Sequence, residues 1–522
     1  MPEHLRALSV ILVLAASVFA FVQRPASGIP IATEDLRRRR NLWFGITLLA
    51  FLAHNFSIYI VGATILLLVT IKAEKNPLAL FLFLLFAVPP FSSKILGVGT
   101  INQLFEINHI RLLSLTVLLP AWYFIRKHQD TEPFGRFWAD RLILCYLFIN
   151  ATLTFGFGNF TAELRPAILY PFMEIFLPYY VASRSLRSLD AARDALASLG
   201  VSCLILGAIG IFEFFKHWLL YSSLPNALGV SFGMGNYLGR GDLGVIRALA
   251  STGHGIALGY VLVVALLLYQ FVQPRDRRPV SNTVGSLLLL TGVVVALSRG
   301  PWVGLAVGVV VFTLMSANRK RDLSRLLGGS FLVLVIVLIS PYRDRVINIL
   351  PFIGDTDGGS VTYRQMLFEN SLLVISQRPW FGGGNYYNEL ASMGMVQGEG
   401  IVDLVNTYLC IALSQGCVGL VLFVGVFVAA GARLFLAWNS AEVSPEAHLL
   451  GRSLISALVA VLVTIATVSP ILCIPTLYWV LAGLCVGCAR FLEPTAVSSK
   501  GNLRSSGKAR TPWVSTWGRV FV

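Results

Sequence analysis

GIALGYVLVVALLLYQFV, residues 255–272, runs for eighteen residues without a charge. Coiled as an α-helix it rises about 27 Å, close to the roughly 30 Å hydrocarbon core of a bilayer. Its apolar residues are continuous. They do not alternate with polar ones, so a strand of a β-barrel is excluded for this stretch. Similar blocks lie on both sides, near 7–22, 42–54, 57–72, 77–90, 110–125, 142–157, 167–183, 195–215, 283–298, 302–316 and 326–340. Three more follow near 404–436, 453–469 and 471–489. The whole chain has 522 residues, 56% hydrophobic and only 13% charged, against roughly a quarter charged in a soluble protein. The expected fold is an all-α polytopic membrane protein of about 12–15 transmembrane helices. The block at 7–22 reads as a retained helix, because further spans follow it directly.

The net charge is +15. In a soluble protein this would point to nucleic acid. Here Lys and Arg collect in short connectors, as cytoplasmic loops of a membrane protein do, and no nucleic-acid partner is expected. The connectors are Arg37 to Arg40, Arg126 to Arg141, Arg184 to Arg193, Arg275 to Arg278, Arg319 to Arg325 and Arg433 to Arg452. With these inside, residues 91–109, 158–166, 216–253 and 341–403 lie outside. The chain then divides into an N-terminal bundle (1–253), central helices (254–340), a large outer loop (341–403), C-terminal helices (404–490) and a basic tail (491–522). The outer loop is not low-complexity. Its run from Gln365 to Gln377 is helical in pattern, and an ordered, partly helical lid is expected. The seven cysteines fall in or beside apolar blocks, and none has zinc-like spacing with histidine. They read as packing residues, and neither a disulfide framework nor a metal site is expected.

Few residues stand out as chemistry. Arg299 lies in Ser298-Arg299-Gly300-Pro301-Trp302, a tight break between two apolar blocks. An arginine at a membrane boundary is costly to desolvate and often marks a site, the plain alternative being a snorkelling helix anchor. Arg247 precedes a span on the same outer face, with Arg240 nearby reading as a loop charge. Arg364 and Arg378 sit in the outer loop. Guanidinium groups that converged there would hold phosphate oxygens in a bidentate fork. Asp403 and Asn406 open the block at 404–436. Asp403 is a candidate helix N-cap or a general base under the lid. Glu174 and Glu213 are candidate intramembrane acids, and His109 and His254 read as hydrogen-bonded packing residues. No Walker loop, HExxH or Gly-x-Ser-x-Gly is present, which leaves ATP-driven transport and soluble-type hydrolysis without support.

From about 285 to 435 the sequence resembles the O-antigen ligase and polymerase superfamily of bacterial membrane glycosyltransferases. The resemblance rests first on Ser298-Arg299-Gly300-Pro301-Trp302. The second element is the outer loop, with Tyr363-Arg364 and Arg378-Pro379-Trp380-Phe381-Gly382-Gly383-Gly384. The third is Asn406, a spacer, and Gly416-Cys417-Val418-Gly419. Ligases of that family carry a histidine immediately before the position of Asn406, where this chain has Val405. The resemblance implies glycan transfer from an undecaprenyl-diphosphate carrier at the periplasmic face of the inner membrane. Membrane lipid would surround the site, no cofactor is implied, and chain-length regulators or export proteins are conceivable partners. Arg247, Arg364 and Arg378 would bind substrate, with Asp403, Asn406 and Arg299 as the catalytic set. A polymerase is the expected activity because of Val405, with a ligase second and a transporter or flippase third.

Overall fold

The computed structural model describes residues 2–24, 29–97, 103–129, 131–157, 160–230, 239–240, 245–273, 279–340, 343, 358–397, 400–440 and 444–492. The basic connector at Arg275 to Arg278, part of the outer loop and most of the basic tail lie outside these.

Helices α1 (Glu3–Gln23), α2 (Thr33–Leu52), α3 (Phe56–Ile71) and α4 (Pro77–Leu84) open the chain. Strands β1 (Ser92–Leu96) and β2 (Gln103–Asn108) follow, paired antiparallel from Ser92 opposite Asn108. Next come α5 (His109–Leu113) and α6 (Leu119–Lys127), joined by the π-turn Ser114–Leu118, and then α7 (Trp138–Phe157). Helices α8 (Phe160–Leu164) and α9 (Leu177–Arg184) are linked through two further π-helical segments. The middle of the chain forms α10 (Leu189–Lys216), α11 (Leu224–Leu228), the short pair β3 (Gly239–Arg240) and β4 (Val245–Ile246), and α12 (Gly255–Val272). Then come α13 (Pro279–Val295), α14 (Arg299–Leu314), α15 (Arg319–Ile339), α16 (Gly358–Gln377) and α17 (Tyr386–Ser392). Helices α18 (Thr407–Trp438), α19 (Pro445–Ile465) and α20 (Ile474–Cys488) complete the described chain.

The all-α membrane architecture expected from the apolar blocks is the observed one. Seven helices are long and apolar enough to cross a bilayer, and three shorter apolar helices accompany them among the described residues. The other expected spans coincide with helices that are short, charged at one end or interrupted by π-turns, such as α2 and α5–α6. Helix α2 begins earlier than its apolar block, taking in Arg37 to Arg40. Arg39 is fully buried because Glu74 and Asp194 each meet it at 2.7 Å, so the charge is compensated inside the bundle.

Helix α12 forms the centre, buried along most of its length. Helix α14 presents Gly300, Gly304 and Gly308 on one face. A Cβ on Gly304 would run into Thr464 and Ala460 of α19, and one on Gly308 into Leu267 of α12. The small-residue stripe lets the helices pack backbone against backbone, as membrane helices do where lipid offers no hydrophobic driving force. Helix α15 is the opposite case. It buries no residue, and Phe331, Ile336 and Ile339 are all exposed. An apolar helix exposed on every side is solvated by lipid.

Candidate functional site

The Ser-Arg-Gly segment is a sharp turn between α13 and α14. Leu297 takes a left-handed φ of 46°, a strained conformation for a branched side chain. Trp302 closes the turn by donating its indole N–H to the Val293 carbonyl at 3.0 Å. The Leu297 carbonyl then accepts Arg247 Nη2 at 3.1 Å. Ala248 N donates to the Val295 carbonyl at 3.3 Å, laying the Arg247 segment along the end of α13. Arg247 and Arg299 are thereby brought to one turn.

Glu213 fixes the Arg247 segment from below. It is fully buried in α10. Oε2 accepts Leu249 N at 2.9 Å and Ala250 N at 2.8 Å, and Oε1 accepts Leu220 N at 3.0 Å. Ala250, another left-handed residue, has φ 46°. Glu213 therefore acts on backbone amides, as a positioning residue for the loop. Glu174 pairs with Arg111 at 2.7 Å, and Arg111 also lies over the Tyr170 ring. His109 bridges Tyr59 and the Leu84 carbonyl, a packing role as expected. His254 caps α12, its Nδ1 accepting Ile256 N at 3.1 Å. Burial, and then the nearby Arg247 guanidinium, hold its imidazole down to about 4, so the ring is neutral near pH 7.

Asp403 reaches the same end of the bundle through the connector between α19 and α20. Ser469 Oγ donates to Asp403 Oδ1 at 2.7 Å. The adjacent Val468 carbonyl accepts Thr407 Oγ1 at 2.7 Å. A Cβ on Gly300 would collide with Thr467 of the same connector. Residues Thr467 to Ser469 thus touch both the Ser-Arg-Gly turn and the Asp403 segment. The cap of α18 is Asn406, whose Oδ1 accepts Tyr408 N at 2.9 Å and Leu409 N at 3.3 Å. The capping reading considered for Asp403 therefore passes to Asn406. Asp403 is partly buried. Helices α12, α14, α18 and α20 all start at this end, so their positive dipole ends face one region.

The outer loop is fastened at two places. Tyr363 OH lies 3.1 Å from the Asp403 carbonyl and 3.2 Å from that of Met395, and donates between them. Arg364, the next residue, is exposed on α16. At the far end the turn from Arg378 to Gly383 docks into a break in α18 at Gly416, where φ is 67° and ψ −170°. Gly383 N donates to the Leu413 carbonyl at 3.0 Å, Cys417 N to Pro379 at 2.8 Å and Val418 N to Trp380 at 3.2 Å. A Cβ on Gly416 would overlap the Trp380 carbonyl, and one on Gly382 the Leu413 carbonyl. Arg378 pairs with Glu389 at 3.3 Å. It stands about 20 Å from Arg364 along the α16 axis. The structure therefore brings together the segments of Arg247, Arg299, Asp403 and Asn406, leaves Arg364 exposed on α16 next to the Tyr363 fastening, and keeps Arg378 at the other fastening. The side chain of Arg240 lies outside the described residues.

Residues 284–424 match the O-Antigen ligase family model. The match supports the O-antigen ligase/polymerase superfamily, the resemblance drawn from the motifs, whose members are membrane glycosyltransferase-like enzymes. Comparison with curated proteins gave no match. The matched segment holds Arg299, Arg364, Arg378, Asp403, Asn406 and the Gly416 break. It leaves out Arg247, Glu213 and the Thr467–Ser469 connector, all of which build the same site. The connector escaped sequence reasoning. Its one signal was Ser469-Pro470 after an apolar block, an ordinary turn mark.

Proposed function

We propose that this O-antigen ligase/polymerase-type protein is a polysaccharide polymerase for O-antigen or exopolysaccharide. It moves a glycan from an undecaprenyl-diphosphate carrier onto a second lipid-linked repeat at the periplasmic face of the bacterial inner membrane. The observation that carries this reading is the meeting of Arg247, Arg299 and Asp403 around one connector, where four helices begin. Two guanidinium groups and helix N-termini suit a diphosphate. The carrier's diphosphate is the leaving group, so the sugar arrives activated. The acceptor hydroxyl oxygen forms a bond to the anomeric carbon as the anomeric C–O bond to the diphosphate breaks. The hydroxyl proton passes to Asp403, and the charge left on the diphosphate is met by Arg247 and Arg299. Arg364, next to Tyr363 on the lid, is the substrate-binding candidate there.

The second reading is a ligase with the lipid A core as acceptor. The family description favours it, and Val405 in the place of the ligase histidine weighs against it. A transporter is less well supported, since Glu213 is engaged by backbone amides and Glu174 by Arg111. Deleting the gene in its host and resolving glycans and lipid-linked intermediates tests the assignment. Loss of long chains with single repeats remaining means polymerase. Long lipid-linked chains that accumulate without transfer overturn it in favour of ligase. Unchanged glycans refute both.

A further inference from the structure

At the end of the bundle opposite the site, the start of α7 and the last turns of α18 leave a cavity of about 600 Å³. Its lining combines Arg136, Phe137 and Trp138 with Arg433, Leu436 and Val486. The Arg433 guanidinium lies 3.6 Å over the Phe137 ring, which holds it flat against the wall. Trp138 is 71% exposed and Leu436 73%, so the mouth opens onto lipid beside an interfacial tryptophan.

The charge balance at this mouth is one-sided. Glu132 pairs with Arg136 at 2.5 Å, and Asp140 with Arg184 at 2.5 Å. Arg187 and Arg433 stand within electrostatic range of Arg490, and Arg141 stacks on Trp138 at 5.1 Å. Among the described residues, Nε and Nη2 of Arg490 are buried without a hydrogen-bond partner. Arg136 and Arg433 are the charged residues of the lining, set among Phe137, Trp138, alanines, Leu436, Val486 and the hydroxyl of Ser440, and no carboxylate lines the cavity among the described residues.

We propose that this cavity binds the headgroup of an anionic phospholipid, with its acyl chains lying along the exposed apolar face of α18. The occupant must be both anionic, to match the arginines, and apolar, to match Leu436 and the neighbouring Val428 and Phe435. Lipid meets both demands. The chain's own tail from 493 carries Lys500, Arg504, Lys508, Arg510 and Arg519, and like charge opposes its entry.

The test is native mass spectrometry of the full chain released from detergent, with phosphatidylglycerol, phosphatidylcholine or glycerol 3-phosphate added. Phosphatidylglycerol should be retained preferentially, and Arg433→Ala should weaken it about fivefold. Arg136→Ala, an exposed position, should weaken it in the same direction while leaving a monodisperse protein. Equal retention of phosphatidylcholine overturns the proposal. So does competition by glycerol 3-phosphate at the affinity of the lipid, and so does unaltered binding in a well-folded Arg136→Ala protein.

Discussion

Replacing Gly416 with alanine should undock the outer loop while leaving the bundle folded. The native φ of 67° with ψ of −170° belongs to a region essentially reserved for glycine, and alanine there costs about 1–3 kcal/mol. The added Cβ also overlaps the Trp380 carbonyl, so the turn from Arg378 to Gly383 cannot stay in place. Its departure breaks the three backbone bonds from Gly383, Cys417 and Val418, at about 1 kcal/mol net for each. Those bonds favour docking in both proteins, so the shift comes from the strain, about 1–3 kcal/mol before the overlap is added, which lowers the docked-to-undocked ratio by at least about 5- to 150-fold. Helix α18 keeps its packing on α7, so global unfolding is not expected. Amide hydrogen exchange in nanodiscs reads the outcome. Gly383, Cys417 and Val418 should lose protection in Gly416→Ala while the amides of α12 keep theirs. Native protection at those three amides in the variant would refute the reasoning.

Three further predictions concern the site. Asp403→Asn keeps an acceptor for Ser469 but removes the proposed base; polymer formation should fall by about 10²–10⁴-fold at unchanged membrane level, and a native rate would sink the base assignment. Glu213→Ala leaves three buried amides without their acceptor. The melting curve in detergent should register at least about 3 kcal/mol of lost stability, with Glu213→Gln less affected, and an unchanged curve would deny the positioning role. The third uses pH. The folded His254 imidazole titrates at about 4 against 6.5 when free. Between those values the unfolded chain binds more protons, so the stability held by the neutral ring is complete above 6.5 and is lost as pH falls toward 4. Melting temperatures at pH 7 and pH 5 should differ more in the native protein than in His254→Asn, which keeps a capping acceptor. Equal differences would count against it.

The fold was legible because lipid burial imposes unbroken apolar runs, and α12 coincides with its block at 255–272. Features held by distant partners were not. The charged opening of α2 looks like a loop until Arg39 meets Glu74, 35 residues away, and Asp194, 155 away. The β1–β2 hairpin and the π-turns depend on pairing and packing that a linear pattern does not carry. At the site, Arg299 and Asp403 stood out by charge at a membrane boundary. The Thr467–Ser469 connector did not, since two hydroxyls at a helix end are commonplace. Asn406 had the right chemistry for a cap, and the neighbouring carboxylate drew that reading instead. The glycines at 382 and 416 were visible separately in the sequence, but the backbone bonds between their two segments have no sequence signature.

The docking of the outer loop into α18 has a consequence for tolerance to sequence change. The bonds across it from Gly383, Cys417 and Val418 join main chain to main chain, and the Trp380 and Phe381 side chains are 68% and 52% exposed. The fastening is thus indifferent to most side chains that cross it and intolerant of a methyl group at two of its glycines. The aromatic pair is open to exchange, provided residues 382 and 416 stay bare.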